Sequence, residues 1–257
     1  MKISIITVCK NPGESIKRTV ESVLSQTYKD IEYIIVDGAS TDGTVEGIRD
    51  AVHTYTGEHA GSPLLKFVSE PDMGIYNAMN KGIGLATGDV IYFLNAGDRL
   101  FNESVVEKVM NEFVQSGADF IYTDIFCEDE RSGYVKKFDR VDRYFLFRDC
   151  ISHQASFYKK EVFEKIGHFD EEYKLAADYD SLMKMWNDNK IRKKYLNTVS
   201  AFYNLKGVSS LSKENVVKER KSIQKKRFPS IERVLYGFYF YQLFRRRLRK
   251  AGFKIHG

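Results

Sequence analysis

The chain has 257 residues and a mass of 29.7 kDa, which suits one large α/β domain with an appendage or two small domains. A hydrophobic fraction of 43% can fill a sizeable core, so global disorder is excluded. The three cysteines have no CxxC spacing, which argues against a disulfide framework or a zinc site. The apolar runs at residues 3–8 and 234–244 are too short for a signal peptide and a membrane span. We therefore expect a cytoplasmic protein.

The net charge of +5 is unevenly distributed along the chain. Residues 213–257 contain 14 Lys and Arg against 3 Asp and Glu, a balance of +11, whereas the preceding 212 residues have a balance of −6. The charge of the basic tail is not needed for solubility, so it indicates a separate contact. We expect that contact to be anionic.

In the first hundred residues, segments with the spacing of strands and of helices alternate. Strands are predicted at 3–8, 32–36, 65–68 and 90–94, and helices at about 12–26, 45–55 and 75–83. Asn11 and Pro12 have the composition of the N-terminus of the first helix, and Asp42 is predicted to cap the second. This alternation predicts βαβ units with right-handed crossovers and a mostly parallel sheet.

After residue 100 the pattern changes to that of a mixed region. Helices are predicted at 103–115, 162–166 and 181–186, and strands at 118–123, 134–138, 141–147, 155–158 and 199–203. Trp186, the sole tryptophan, falls on an apolar helix face and is predicted to lie in the core. A further helix is predicted at 231–250, within the basic tail.

Polar clusters follow three of the predicted strands, at residues 7–11, 37–42 and 95–98. Ligands of parallel α/β sheets bind at the carboxyl ends of the strands, so these clusters indicate a binding site. The sequence has neither a Gly-x-Gly-x-x-Gly after the first strand nor a phosphate-binding loop of the Gly-x-x-x-x-Gly-Lys type. Any bound nucleotide is therefore expected to contact side chains and strand ends.

Three of these segments together resemble family 2 glycosyltransferases with the GT-A fold: 5–8 with Asn11, 33–44 (YIIVDGASTDGT) and 95–98 (NAGD). Residues 69–82 (SEPDMGIYNAMNKG) resemble the subgroup that builds bacterial surface polysaccharides such as colanic acid, capsule and O-antigen. The resemblance extends over about residues 1–205. It implies an α/β fold with a mixed, mostly parallel sheet sandwiched by helices. The basic tail, which follows the region of resemblance, is expected to be helical from its own sequence.

The same resemblance implies an activity and a domain organisation. The activity is the inverting transfer of a sugar from a nucleotide-diphosphate sugar, most commonly a UDP-sugar, with Mg²⁺ or Mn²⁺ as cofactor. Residues 1–208 are the expected GT-A domain, with a nucleotide-binding half at 1–100 and an acceptor-side half at 101–208. Residues 209–257 are the expected tail.

On the donor side, the resemblance implies that Thr7 and Asp37 border the nucleobase and ribose. The alternatives are a locally hydrogen-bonded strand residue for Thr7 and a turn-forming residue for Asp37. Gly38 stands where many members have a second acid, so one polar contact to the base is expected to be missing. The other residues expected to bind the nucleotide sugar are Asn11, Asp72, Lys81 and Asn95.

For the metal, Asp98 matches the acid expected to bind the ion, whereas Asn95 and Gly97 replace acids that are common in the family. Hard cations prefer oxygen ligands, and Mg²⁺ typically uses one or two carboxylates together with substrate phosphates. We therefore expect weak metal affinity in the absence of the donor diphosphate. The alternative is a plain turn.

For the chemistry, Asp178 lies in the segment AADYD, which matches an acidic motif of the family with Ala177 in place of Glu. An inverting displacement needs a base for the acceptor hydroxyl, and we expect Asp178 in that role, with an ordinary helix cap as the alternative. Asp180 is the second candidate. His153 and Gln154 match a His-Gln pair of the subgroup and are expected to contact the diphosphate, metal or acceptor, with a hydrogen-bonded structural histidine as the alternative.

The tail combines aromatic residues with a cationic cluster, as interfacial helices on anionic lipid do. We expect attachment to the inner face of the cell membrane, which would suit a polyprenyl-linked or glycan acceptor. The alternatives are a helix packed on the body and a homodimer contact; nucleic acid is not expected. For the whole protein, a nucleotidyltransferase and a non-catalytic adaptor remain as alternative functions.

Overall fold

The computed structural model describes residues 1–58, 64–128, 132–205, 212–230, 234, 236–239 and 241. The strands are β1 Ile3–Cys9, β2 Ile31–Asp37, β3 Leu64–Ser69, β4 Val90–Phe93, β5 Arg99–Leu100, β6 Phe120–Glu128, β7 Gly133–Lys136, β8 Ser156–Lys159 and β9 Lys193–Asn204. The helices are α1 Ser15–Leu24, α2 Thr44–Glu58, α3 Ile75–Leu85, α4 Val105–Ser116, α5 Arg143–Arg148, α6 Lys160–Ile166, α7 Ala177–Asn187 and α8 Lys213–Arg227. Residues 234, 236–239 and 241 are also helical.

These strands form a mixed sheet with the order β3-β2-β1-β4-β8-β6-β9-β5, and β7 pairs with the distal part of β6. β1 to β4 are mutually parallel where they pair, whereas β8 is antiparallel to both of its neighbours. Every residue of β1 and β2 is buried, as expected for parallel strands covered on both faces. The predicted α/β architecture, a mixed sheet between helices, is confirmed.

Two hydrophobic cores lie on the two faces of the sheet. Neighbouring residues of β1 enter different cores, Ile5 beside α1, α2 and α4 and Ile6 beside α3, α6 and α7. Trp186 packs at the margin of the second core, its ring edge-on to Tyr122 at 5.9 Å between centroids. Its predicted place in the core is confirmed. In the described residues, no helix has the length and hydropathy needed to cross a membrane.

Two local predictions differ from the structure, and a third is confirmed. Helix α1 begins at Ser15, because Asn11 adopts a positive φ of 50° that ends the strand in a turn rather than starting a helix. Residues 143–148 form helix α5 instead of a strand, because Asp142 caps it by accepting a hydrogen bond from the Phe145 amide at 2.6 Å. The predicted cap at Asp42 is confirmed, since its carboxylate accepts from the Thr44 amide at 3.2 Å.

The beginning of the basic tail is a helix that no sequence pattern predicted. α8 is almost entirely polar, yet Ile223 and the following Phe228 are buried against the body. Most of the helix predicted at 231–250 lies outside the described residues.

Candidate active site

A short 3-10 turn, His153–Ala155, lies where the end of β4 meets the start of β8. Its second residue, Gln154, donates a hydrogen bond through Nε2 to Asp98 Oδ2 at 2.6 Å. The other carboxylate oxygen, Oδ1, accepts from the backbone amide of Asn204 at 2.9 Å. Asp98 is only 6% exposed, and burial raises its pKa to about 6 although both hydrogen bonds and His153 oppose that shift.

The preceding residue, His153, contacts the second carboxylate of the predicted site. Its Nδ1 lies 3.4 Å from Asp178 Oδ2, and its Nε2 lies 2.9 Å from Asn95 Nδ2. Asn95 and Asp178 thus lie at the two opposite ring nitrogens of His153. Tyr76 also donates its hydroxyl to Asp178 Oδ1 at 3.1 Å. Two consecutive residues of one turn thus contact Asp98 and Asp178, the two carboxylates expected to bind metal and act as base.

Two buried oxygens beside this turn, Asn95 Oδ1 and Gln154 Oε1, have no hydrogen-bond partner among the described residues. A buried, unpartnered carbonyl oxygen is costly, so such atoms mark strain or an absent ligand. Carbonyl and carboxylate oxygens are the ligands that Mg²⁺ and Mn²⁺ accept. The oxygens around Asp98 therefore fit a hard cation.

The described residues contain no group of three or more His, Cys, Asp or Glu that could hold a metal ion. One buried carboxylate with nearby amide oxygens is an incomplete set for a divalent cation. The substrate phosphates are the usual source of the missing ligands for Mg²⁺. This donor set fits an ion that binds together with a diphosphate.

On the donor side, Asp37 ends β2 and is completely buried. Its carboxylate accepts from the Ser40 amide at 2.9 Å, from the Ser40 and Ser69 hydroxyls and from the Cys9 thiol. Burial acts to raise the pKa of Asp37, but these hydrogen bonds outweigh it and hold the pKa below its usual value. Asp37 is therefore an ionised residue that organises the loop after β2.

Thr7 is likewise satisfied inside the protein. Its side chain is fully buried, and its hydroxyl lies 2.7 Å from the Leu94 carbonyl oxygen, to which it donates, and 3.0 Å from the Tyr33 hydroxyl. These contacts tie β1 to both of its neighbours in the sheet. These hydrogen bonds agree with the alternative interpretation of Thr7 as a locally hydrogen-bonded strand residue.

Gly38, which stands in place of a second family acid, packs directly against Asp72. A Cβ built on Gly38 would lie 2.1 Å from Asp72 Oδ2, so a side chain at position 38 would collide with that carboxylate. Asp72 also accepts from the Gly74 amide at 2.9 Å through Oδ1. The acid missing from the loop after β2 is thus replaced in space by one from the loop after β3.

Asn11, in the loop after β1, and Lys81, on α3, contact the loops that contain Asp37 and Asp72. Asn11 Oδ1 accepts from the Thr41 amide at 2.8 Å. Lys81 forms an ion pair with Glu70 at 2.7 Å and donates to the Pro71 carbonyl oxygen at 2.9 Å. Both residues connect segments of the donor side.

Asp180 does not join the cluster at His153. It is fully buried and faces α8, where Arg227 donates to both of its carboxylate oxygens at 2.8 and 3.0 Å. Lys184, one turn further along α7, lies 3.2 Å from Asp180 Oδ2 through its Nζ. Burial acts to raise the pKa of Asp180, but the two cations outweigh it and lower the pKa. The structure therefore gives Asp180 a stabilising ion pair and leaves Asp178 as the carboxylate beside His153.

Tyr76 is the residue of this site that the sequence analysis did not single out. It belongs to the motif at 69–82, but only the fold shows that its hydroxyl reaches Asp178, 102 residues away in the chain.

Comparison with known proteins identifies the family. The model of Glycosyl transferase family 2 matches residues 4–173. The PGL/p-HBAD biosynthesis glycosyltransferases of Mycobacterium bovis and Mycobacterium tuberculosis are 33% identical over 203 residues, which cover 78% of this chain and 76% of theirs. An uncharacterized glycosyltransferase of Mycobacterium tuberculosis is 31% identical over 188 residues, 71% of this chain and 68% of that protein.

Solved structures show the same fold. S. aureus TarS 1-349 in complex with UDP-GlcNAc superposes with a TM-score of 0.67 at 19% identity, covering 82% of this chain and 61% of that one. The mannosyltransferase PcManGT from Pyrobaculum calidifontis, in complex with GDP-Man and Mn²⁺, has a TM-score of 0.58 at 19% identity and covers 79% and 56%. This chain thus spans about three-fifths of those solved chains. The protein has the GT-A fold and belongs to glycosyl transferase family 2.

Proposed function

We propose that this protein is a metal-dependent inverting glycosyltransferase. It transfers a sugar from a nucleotide-diphosphate donor to a glycan or lipid-linked acceptor of the cell surface. The observation that carries the proposal is the turn His153–Ala155, whose residues contact Asp98 on one side and Asp178 on the other. This arrangement supports a metal ligand and a base that act at the same turn.

In this proposal Asp98 holds the cation, with the amide oxygens of Asn95 and Gln154 beside it. A bound Mg²⁺ or Mn²⁺ supplies Lewis acidity that stabilises the negative charge of a departing diphosphate. Burial raises the pKa of Asp98, so a cation beside it would favour the ionised carboxylate.

Asp178 is the base. As the acceptor oxygen bonds to the anomeric carbon, the bond from that carbon to the diphosphate oxygen breaks, and the acceptor proton passes to the Asp178 carboxylate. The hydrogen bonds from His153 and Tyr76 fix the orientation of that carboxylate.

The substrate class is supported by the relatives. TarS has been crystallised with UDP-GlcNAc and PcManGT with GDP-Man and Mn²⁺, and the mycobacterial relatives act in PGL/p-HBAD biosynthesis. We propose that the donor diphosphate lies between the Asp37–Asp72 loops and Asp98. The acceptor then approaches from the side of Asp178.

Turnover of a sugar-nucleotide panel tests the proposal. We expect release of UDP or GDP from one donor only with Mn²⁺ or Mg²⁺ present, and Asp178→Asn should lower kcat about 10³-fold. Asp188→Asn, at the other end of the same helix, is the matched control and should behave like wild type. Pyrophosphate release from a nucleoside triphosphate and sugar phosphate would instead establish a nucleotidyltransferase, and absence of turnover with every donor would favour an adaptor.

We also propose that the end of the chain lies on an anionic membrane surface. Val234 and Phe238 are spaced to share one helix face and are 70% and 61% exposed. Tyr236 and Tyr239 instead contact the Tyr144 ring at 5.6 and 5.0 Å between centroids, which anchors the segment to the body. The sequence then continues with a basic run at 245–250.

Co-sedimentation with vesicles tests this attachment. Binding is expected to vesicles containing phosphatidylglycerol but not to pure phosphatidylcholine, and to weaken with salt. Phe238→Ser should reduce it, whereas Val114→Ser, at an equally exposed residue of α4, should not. If wild type, Phe238→Ser and Val114→Ser all remain equally in the supernatant, membrane attachment is refuted.

A further inference from the structure

The helix that carries Asp178 begins without a capping side chain of its own. Its N-cap residue is Ala176, which has no polar side-chain atom and makes no side-chain cap hydrogen bond. The backbone amides at the start of a helix need acceptors from elsewhere. The amides just before α7 are therefore the point at which the position of Asp178 is set.

A single carboxylate on α8 supplies those acceptors. Glu219 Oε1 accepts from the Lys174 amide at 2.9 Å, and its Oε2 accepts from the Leu175 and Ala176 amides, each at 2.9 Å. Hydrogen bonds to an ionised acceptor are stronger than neutral ones, and an anion at a helix N-terminus also interacts favourably with the helix dipole. Glu219, more than forty residues further along the chain, thus binds the N-cap amide of α7 and the two backbone amides before it.

Glu219 is held in place by a rigid element. Further along α8, Gln224 donates to the Phe147 carbonyl oxygen at 2.8 Å, Arg227 pairs with buried Asp180, and Ile223 is fully buried. These contacts fix α8 against α5 and α7. The first helix of the basic tail is therefore built into the side of the molecule that contains Asp178.

We propose that Glu219 is a positioning residue for the transfer reaction: it fixes the turn at residues 174–176 so that Asp178 stays aligned with His153 and the acceptor. This inference rests on the proposed role of Asp178 as base. Small displacements of a reacting group lower the rate strongly, by as much as about 10²-fold for an ångström. Donor binding occurs at other loops and is not expected to change.

The test compares Glu219→Gln with Glu214→Gln, which removes an exposed acid from the first turn of the same helix. With the donor that wild type turns over, Glu219→Gln is expected to lower kcat about 10- to 100-fold, with the donor KM changed less than threefold. Amide hydrogen exchange at 174–176 should become faster. Glu219→Asp, which keeps the charge, should recover part of the rate, and Glu214→Gln should match wild type.

The outcomes separate this inference from the proposed function. If Asp178→Asn abolishes turnover while Glu219→Gln retains wild-type kcat and slow exchange, Glu219 has no positioning role. A fall in kcat that only parallels a loss of folded protein, seen as a matching fall in Tm, would overturn it equally. If Asp178→Asn retains turnover, the base assignment fails, whereas faster exchange in Glu219→Gln would still establish the hydrogen bonds of Glu219 to these amides.

Discussion

Buried polar groups differ in their hydrogen bonding between two regions of the candidate site, the strands β1 and β2 and the turn at 153–155. In the donor half, Thr7, Glu32 and Asp37 each make two or more hydrogen bonds to neighbouring strands and loops. Around the turn at 153–155, Asn95 and Gln154 have buried oxygens without partners among the described residues, and Asp98 has a raised pKa. We infer that the polar groups of β1 and β2 have a structural role, whereas the unpartnered oxygens around the turn contact the bound ligand.

This difference predicts where substitutions will cost stability and where they will cost activity. Buried polar residues of β1 and β2 should affect mainly the free energy of unfolding. Residues around the turn should affect mainly metal-dependent turnover.

The largest effect is expected for Asp98→Asn. It should lower kcat/KM at least about 10³-fold, because the ligand that holds the cation is lost. It should not lower Tm in EDTA, because an uncharged side chain replaces a buried carboxylate with a raised pKa and its amide can donate to Gln154 Oε1. Activity assays and thermal melts with and without Mn²⁺ check both effects.

The same melts show how the prediction can fail. The Mn²⁺-dependent rise in Tm, measured with UDP present, should disappear in the variant. Retained activity, or a Tm several degrees below wild type in EDTA, would mean that Asp98 has a structural role.

Glu32→Gln should cost about 2 kcal/mol of unfolding free energy at neutral pH and leave donor KM unchanged. Glu32 is buried and accepts from Ser4 at 2.6 Å, Lys66 at 2.7 Å and the Thr87 amide at 2.8 Å. Burial alone would raise its pKa, but these contacts lower it to about 2. The stabilisation is present above the unfolded pKa of about 4.5 and is lost as the pH falls toward 2.

Urea unfolding of wild type and Glu32→Gln at several pH values measures this. The stability difference should shrink as the pH falls from 5 to 3, and Glu46→Gln, at an exposed residue of α2, should show no such trend. A pH-independent difference would contradict the role given to the Glu32 charge.

The smallest effect is expected for Thr7→Val, which should cost about 1 kcal/mol because the Tyr33 hydroxyl and the Leu94 carbonyl oxygen lose a buried partner. Donor KM should change less than twofold. A tenfold rise in KM with an unchanged Tm would instead establish that Thr7 contacts the nucleobase.

The sequence predicts the donor half well because its signals are local. Apolar runs and turn residues set β1, β2 and β4, and the geometry of a parallel sheet then brings the clusters at 7–11, 37–42 and 95–98 to one edge. The convergence of these segments follows from the fold class alone.

Other features depend on contacts between distant segments and leave no local pattern. The exclusion of a side chain at Gly38 depends on Asp72, and the hydrogen bond to Asp178 depends on Tyr76. Helix α8 has few apolar residues. Its docking depends on the ion pair of Arg227, the hydrogen bonds of Glu219 and the burial of Ile223, and these leave no amphipathic pattern in the sequence.

We propose that the turn at 153–155 brings the metal ligand Asp98 and the base Asp178 to one site. A crystal structure with UDP and Mn²⁺ tests it most directly, because the anomalous signal locates the ion. We predict Mn²⁺ at about 2.1 Å from an Asp98 oxygen, in contact with the diphosphate, with Asp178 still bonded to His153 and facing the space beyond the diphosphate. An ion bound away from Asp98, or Asp178 separated from the diphosphate by protein, would contradict the claim.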